Sequence, residues 1–399
     1  MKAQIFTRHF VGGIAGFDVR PAHPIGGAEV YVADLARILH NAGFDVEVLA
    51  GGDDAGTADL GYCRVRVFPL PRRWAAATFP LILARRFAAA EEPEALRIYS
   101  ETRYAALRPT GSSARTVGIL HGVEWDTTFV PYVLREVRYR ARSLRGLPGA
   151  ALKYAYFSGV VPWLTRRGLR RVAAAVSVDR HTLAYLPAAL VSRVTVIPNY
   201  VDVDAFTPEV PPYQDGPDRS KHVILVPRNL NVARGVHLIP PVARLLRERR
   251  SDFVFWILGT GPLRAYLEHE VARHRLDEHV RLMGHVGRDV LPGYYTRSTA
   301  VLIPSVFSEA TSLSALEGMA AGRTVVMTEV GGLRELGQDG ATKIAVHPSP
   351  RDIAEKVHMV LEDAALRRRI GESAAAYARA HHSRELWERR WREIIARHG

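Results

Sequence analysis

The chain has 399 residues, enough for two domains that each bury a core. With 47% hydrophobic and 24% charged residues the composition is globular, and the single cysteine, Cys63, excludes an intrachain disulfide framework and fits a reducing cytoplasm. A formal net charge of +13 admits nucleic acid, anionic lipid or an acidic substrate as partner and does not by itself choose among them.

The opening MKAQIFTRHF reads as a short strand around Ile5 and Phe6, not as a signal peptide. No stretch of about 20 uninterrupted apolar residues occurs, so no transmembrane helix is expected. Residues 7–27 form a Gly-rich connection that ends in Gly26 and Gly27. Val32, Leu35 and Leu39 then lie on one helical stripe, Gly43 stops the helix, and residues 46–50 read as the next strand. Such a βαβ opening brings glycines to a helix N-terminus, where a phosphate can approach backbone. It lacks the spaced G-x-G-x-x-G fingerprint, and a plain tight turn explains the glycine pair as well.

Residues 65–68, 96–99 and 116–120 read as further strands. Within residues 72–90, Pro80 is expected to interrupt any single helix. The strand at 116–120 runs into His121-Gly122. A histidine at the C-terminal end of a parallel strand either faces the ligand crevice or is satisfied locally. Residues 135–171 hold ten basic residues and one acidic residue, Glu136, around an aromatic-rich stretch at 147–165. That pattern fits a segment lying on an anionic membrane surface, and it fits a core helix with a solvated basic face. Lys153, Pro148 and Pro162 argue against a spanning helix, and no motif organises nucleic-acid binding.

Residues 172–178 read as a strand and Asp179-Arg180-His181-Thr182 as a helix start. Val194-Thr195-Val196-Ile197-Pro198-Asn199-Tyr200-Val201-Asp202 comes next, followed by Phe206. Asp202-Val203-Asp204 has the form of a metal-binding DxD but lies in a linker, so no metal is assigned to it. A Pro-rich loop at 209–221 precedes a second βαβ system whose strand, 223–226, runs into Arg228 and then Arg234-Gly235. Two cations between a strand and a helix can clamp a diphosphate; two exposed arginines are the plain alternative. Residues 253–258 form a buried strand ending at the Gly259-Thr260-Gly261 turn, and 280–283 another ending at His285-Val286. Residues 344–346 close the sheet, 350–380 are helical, and a last helix covers 383–397.

The chain is organised around residues 300–322. An apolar strand, 300–304, leads through a polar turn holding Glu309 into a helix with Leu313, Leu316, Met319 and Ala320 on one face and Thr311 or Ser312 at its N-cap. The free amides there make an anion site aided by the helix dipole. Glu309 and Glu317 bracket it, as surface carboxylates or as grips on two ends of one ligand. The Glu309–Glu317 spacing, followed by the strand at 324–327 and Gly331-Gly332, resembles the signature of retaining GT-B glycosyltransferases of family 4 (glycosyl transferases group 1).

That resemblance implies an α/β fold of two Rossmann-like domains facing a central cleft: an acceptor-side domain over 1–198, a nucleotide-sugar domain over 199–380, and a helix, 381–399, crossing back. It places Glu309 on the transferred sugar, Glu317 on the ribose, the amides of Ala310, Thr311 and Ser312 on the diphosphate, and Arg228 and Arg234 as its cationic clamp. Ala310-Thr311-Ser312 stand where the family often has a Phe-Gly pair. Gly26 and Gly27 match the family's loop over the diphosphate, and His121 the histidine near the reacting centre. Gly259, His285 and Val286 fall where nucleotide and base are seated. The implied activity is metal-independent, retaining transfer from a nucleotide-diphosphate sugar, with no cofactor, to a glycan, lipid-linked or small-molecule acceptor. Bacterial surface glycan or glycolipid assembly and a soluble natural product both fit, in a cytoplasmic protein placed on the inner membrane face where 135–171 is interfacial. A GT-B nucleotide-sugar epimerase and a non-catalytic nucleotide or nucleic-acid binder are the rival readings.

Overall fold

A computed structural model describes every residue except 9, 11–26, 53–54, 70–74, 110–113, 124, 127–154 and 215–217, and for 75–79 the backbone alone. The described residues fall into two compact units. The first comprises those within Met1–Trp125 and Leu144–Ile197 together with Glu388–Gly399, and the second those within Asp126–Ser143 and Pro198–Trp387.

The first unit is built on β1 (Lys2–Thr7), β2 (Asp45–Gly52), β3 (Gly56–Asp59), β4 (Arg64–Pro69), β5 (Leu96–Tyr99), β6 (Thr116–Leu120), β7 (Ala174–Ser177) and β8 (Val194–Val196). Their order across the sheet is β3-β4-β2-β1-β5-β6-β7-β8. Every pairing is parallel except β3 against β4, an antiparallel edge strand that the sequence pattern did not announce. The chain winds outward in both directions from β1, which makes the β1/β5 boundary the switch point where α/β sheets open a crevice.

Helix α1 (Gly27–Asn41) buries Val32, Leu35 and Leu39 as their spacing requires, with Tyr31, Ala36 and Ile38 beside them. Gly43 ends it by taking φ +84°, a left-handed conformation open to glycine. Helix α2 (Ala75–Ala90) corrects the expectation about Pro80, since one helix runs straight through it. Proline removes one hydrogen bond and strains the preceding turn, at about 3 kcal/mol. Burial of Leu83, Ala84 and Phe87 on the following turns offsets that cost. The helix expected after Ser177 is instead a 3-10 turn, His181–Tyr185, whose Thr182 amide donates to Asp179 at 2.7 Å; the chain then leaves it through Pro187. Helix α3 (Val161–Leu169) continues a π-helical turn, Tyr156–Val160, and a short helix α4 (Ala188–Val191) precedes β8.

In the second unit β9 (His222–Pro227), β10 (Phe253–Leu258), β11 (Val280–Gly284), β12 (Ala300–Ile303), β13 (Thr324–Thr328) and β14 (Ile344–Val346) form a parallel sheet in the order β11-β10-β9-β12-β13-β14. Alternate residues of each central strand feed two cores. Ile224, Val226, Phe253, Phe255 and Ile257 pack with α5 (Ile239–Arg247), α6 (Arg264–Arg273) and α9 (Pro350–Glu362). Val223, Leu225, Val254, Trp256 and Leu258 pack with α7 (Leu291–Arg297), α8 (Leu313–Ala320) and α10 (Ala364–His382). Covering both faces is why these strands read as unbroken apolar runs. The switch point lies between β9 and β12.

The last helix, α11 (Arg384–His398), follows α10 after a break at Ser383, and its residues from Glu388 onward belong to the first unit. Asp202 is committed to a turn, accepting from the amides of Asp204 at 3.2 Å and Ala205 at 3.0 Å, and Arg384 and Arg379 approach Asp202 and Asp204 to 4.0 and 3.7 Å.

Candidate active site

At the switch point of the second unit, β9 delivers Arg228 and β12 delivers the turn holding Ser305 and Glu309. Arg228 is 6% exposed, a costly place for a charge unless it is paired. It is paired: its Nη2 donates to the Glu309 carboxylate and, at 2.8 Å, to the Ser305 hydroxyl, and its Nη1 donates to Ser312 Oγ at 3.2 Å. Arg234 joins the same carboxylate at 2.9 Å, and Ser305 Oγ donates to it at 2.5 Å. Burial alone would raise the Glu309 pKa. Arg228 and Arg234, with the hydrogen bonds from Arg228 and Ser305, reverse that and hold it far below the usual carboxylate range.

Backbone geometry fixes these partners. Gly235, at φ +72°, lies so close to β12 that a Cβ would stand 1.7 Å from the Pro304 carbonyl oxygen. Gly331, at φ +58°, would place a Cβ 2.4 Å from the Glu309 carbonyl oxygen, and the Gly332 amide donates to that oxygen at 2.6 Å. The Gly331-Gly332 turn therefore clamps the Glu309 loop from beneath.

Ser312 occupies the N-cap of α8, but its hydroxyl caps no amide; it accepts from Arg228 instead. The first amides of α8 thus keep their donor capacity beside two guanidinium groups. Thr311 is 2% exposed and tied to Asn199, its Oγ1 accepting from the Asn199 amide at 3.0 Å and its carbonyl from Asn199 Nδ2 at 2.5 Å. Ala310 is half-buried between them.

Glu317 lies one helical turn further along α8 and 6% exposed. Burial raises its pKa, and Arg288 at 3.8 Å and the Tyr295 hydroxyl at 2.7 Å only partly counter that. The two glutamates therefore live in opposite fields: Glu309 is strongly ionised and Glu317 is closer to taking a proton. Gly259 meets the same region through close backbone approach, since a Cβ there would sit 2.5 Å from the Arg228 carbonyl oxygen. His285 is exposed after β11, and Val286 is half-buried against the core around Tyr294 and Tyr295.

In the first unit His121 follows β6. Its Nε2 is enclosed and has no hydrogen-bond partner among the described residues, and its ring meets Tyr31 edge-on at 5.1 Å. Burial lowers its pKa to about 4; Glu101 opposes that shift and Arg103 adds to it. The imidazole is neutral near pH 7, with one polar atom aimed at no protein group. Glu101 and Arg103 pair with each other beside it. Gly27 is the exposed first residue of α1, and Gly26 lies outside the described residues.

Sequence reasoning passed over Ser305, Tyr295, Arg288, Asn199, Glu101 and Arg103. Ser305 and Glu101 carried a usable signal, being among the first polar residues after buried parallel strands. Tyr295 and Arg288 carried none, because only packing brings them to Glu317. Among the described residues no group of three or more His, Cys, Asp or Glu side chains is placed to hold a metal ion.

Residues 213–377 match the family model of glycosyl transferases group 1, and residues 26–200 match a glycosyl transferase 4-like domain. A D-inositol 3-phosphate glycosyltransferase of Paenarthrobacter aurescens is 28% identical over 381 residues, covering 88% of each chain. An alpha-D-kanosaminyltransferase of Streptomyces kanamyceticus is 28% identical over 235 residues, 56% of this chain and 60% of that one, so the match spans less than two-thirds of that relative. The solved structure of Anabaena HepE in complex with UDP and glucose shares the fold, with a TM-score of 0.69 at 16% identity over 99% of each chain.

Proposed function

The chain belongs to the glycosyl transferases group 1 family of GT-B glycosyltransferases, and from that premise we propose that it moves a sugar, with retention, from a nucleotide-diphosphate sugar to an acceptor hydroxyl without a metal ion. The observation that carries this reading is the convergence of Arg228, Arg234, Glu309 and the α8 N-terminus at one switch point. As the bond from the anomeric carbon to phosphate breaks, negative charge grows on the diphosphate and positive charge on the ring. Two guanidinium groups and a helix N-terminus answer the first. Glu309, kept ionised, answers the second and orients the sugar hydroxyls. The acceptor oxygen forms the new bond on the face the diphosphate leaves, and its proton passes to that diphosphate.

Glu317 takes the ribose in this reading, and Gly259, His285 and Val286 border the base. His121, in the first unit, keeps a neutral imidazole whose enclosed Nε2 has no partner among the described residues, which suits a group that meets an uncharged hydroxyl. HepE with UDP and glucose supports a uridine nucleotide as the first donor to try. The fit to surface glycan or glycolipid assembly rests on the basic character of residues 135–171. The kanosaminyltransferase relative favours a second reading, transfer to a soluble natural product.

A thermal-shift panel of UDP, GDP, dTDP and ADP with their sugar conjugates, each with and without EDTA, tests the proposal. One nucleotide is expected to raise the melting temperature by mass action, unchanged by EDTA. No shift from any of them would overturn the donor site, and a shift abolished by EDTA would overturn the metal-free clamp.

A further inference from the structure

The first unit holds a second pocket, of about 500 Å³, that the transfer chemistry does not use. Trp125, Ser158, Trp163, Arg166 and Arg170 line it. Helix α3, with its C-cap residue Arg170, supplies most of its lining. One face of that helix buries Val161, Leu164, Thr165, Gly168 and Leu169, and Gly168 lies so close to the turn Thr102–Leu107 that a Cβ would stand 2.0 Å from the Thr102 carbonyl oxygen. The opposite face presents Trp163, Arg166 and Arg170 at helical spacing, with the π-helical turn before it supplying Ser158.

Three features point to an absent ligand. Arg166 and Arg170 are exposed, and among the described residues neither side chain has a carboxylate or carbonyl partner, unlike Arg167 beside them, which donates to the Ala106 carbonyl at 2.9 Å. The Trp125 indole N–H is enclosed and has no acceptor among the described residues, which costs free energy until an oxygen meets it. Trp163, which lines the pocket, is 54% exposed, and Val160, one helical turn before it on the chain, is 39% exposed. Two free guanidinium groups and an unsatisfied N–H are a donor set for a phosphate. The exposed tryptophan and valine are an apolar shelf that a small polar anion leaves uncovered.

The geometry points to a binding site for the phosphate of an amphiphile: the phosphate between Arg166, Arg170 and the Trp125 N–H, and the apolar stem over Trp163 and Val160. This deepens the proposed transfer by giving its acceptor side a phosphate-bearing, lipid-like character, and it rests on that reading only for the word acceptor. Binding itself stands apart.

The test uses the full chain with vesicles of phosphatidylcholine, alone or mixed with phosphatidylglycerol, and with glycerol 3-phosphate as a soluble phosphate ester. Binding to the anionic vesicles is expected, and Arg166→Ala/Arg170→Ala together should weaken it about 30-fold, as two charges at an anionic surface do. Phosphatidylglycerol with brominated chains should quench tryptophan fluorescence in the native chain and not in Trp163→Phe. The control pair Arg389→Ala/Arg397→Ala removes the same charge from exposed positions of α11 and should change binding less than about twofold. Equal loss in both pairs would mean diffuse attraction and would overturn the site. So would the absence of vesicle binding, and so would binding of glycerol 3-phosphate without any preference for vesicles. The nucleotide-induced melting shift is read on the same variants and should be unchanged. Loss of that shift in the native chain sinks the transferase reading and leaves the pocket standing, whereas loss of vesicle binding alone does the reverse.

Discussion

Glu309 is the residue whose surroundings say most about how the site works. Its carboxylate pairs with both Arg228 and Arg234, so in the proposed reading a diphosphate competes with Glu309 for the two cations. The two arginines do not stand equally in that pairing. Arg228 is buried, and removing one member of a buried pair costs about 3–5 kcal/mol because the other charge is stranded. The Arg234 side chain is 36% exposed and its loss is screened. Arg234→Ala should therefore lose most transfer while melting near the native temperature, whereas Arg228→Ala should lose transfer and melt several degrees lower; parallel turnover and calorimetry separate the two.

His121 makes a pH statement at the same scale. Its native pKa, about 4, lies below the usual 6.5, so on acidification the unfolded chain takes up a proton before the native one does. The contribution is fully present above pH 6.5 and is lost as pH falls toward 4. The melting temperature should drop over that window, and less steeply in His121→Phe. A rate profile breaking at the usual histidine pKa would contradict a neutral His121.

At the scale of elements, the site is assembled by close backbone approach rather than by long side chains. The Gly331-Gly332 turn supports Glu309 with a backbone that holds φ +58° at Gly331. Gly331→Ala adds a left-handed alanine, at about 1–2 kcal/mol, and a Cβ 2.4 Å from a carbonyl oxygen. The expected result is a lower melting temperature together with a larger fall in kcat than in nucleotide affinity, since Glu309 moves while α8 stays. Lys343, 1% exposed, holds the same turn by donating to the Leu333 and Arg334 carbonyls at 3.2 and 3.3 Å and pairing with Glu329 at 3.2 Å. Helix α2 teaches the opposite lesson about local rules: Pro80 breaks a helix in isolation, and burial on one side keeps this one whole.

For the whole molecule, the last helix bears on the first unit's stability. Trp391 is fully buried there, and its Nε1 donates to the Tyr31 hydroxyl at 2.8 Å. Tyr31 in turn packs edge-on to His121. Trp391→Ala should cost about 3–5 kcal/mol, the range for a buried aromatic. Calorimetry should show the loss in the transition of the first unit, with nucleotide protection of the second unit retained.

What the sequence determined by itself was the set of buried strands, because a sheet covered on both faces writes an unbroken apolar run at each strand, and the loops after those strands, where chemistry collects. It also carried the resemblance to the family, through the Glu309–Glu317 spacing and the Gly331-Gly332 that follows it. The tertiary structure alone decided which charges meet. Arg228 and Glu309 are 81 residues apart and Asn199 and Thr311 are 112 apart, so their pairing is set by strand order, not by local pattern. It alone decided that Glu309 and Glu317, one residue type eight positions apart, hold their protons so differently, because two cations crowd the first, whereas burial dominates at the second and Arg288 and Tyr295 only partly offset it. Burial and partners are properties of the packed chain, and no residue carries them in its own letter.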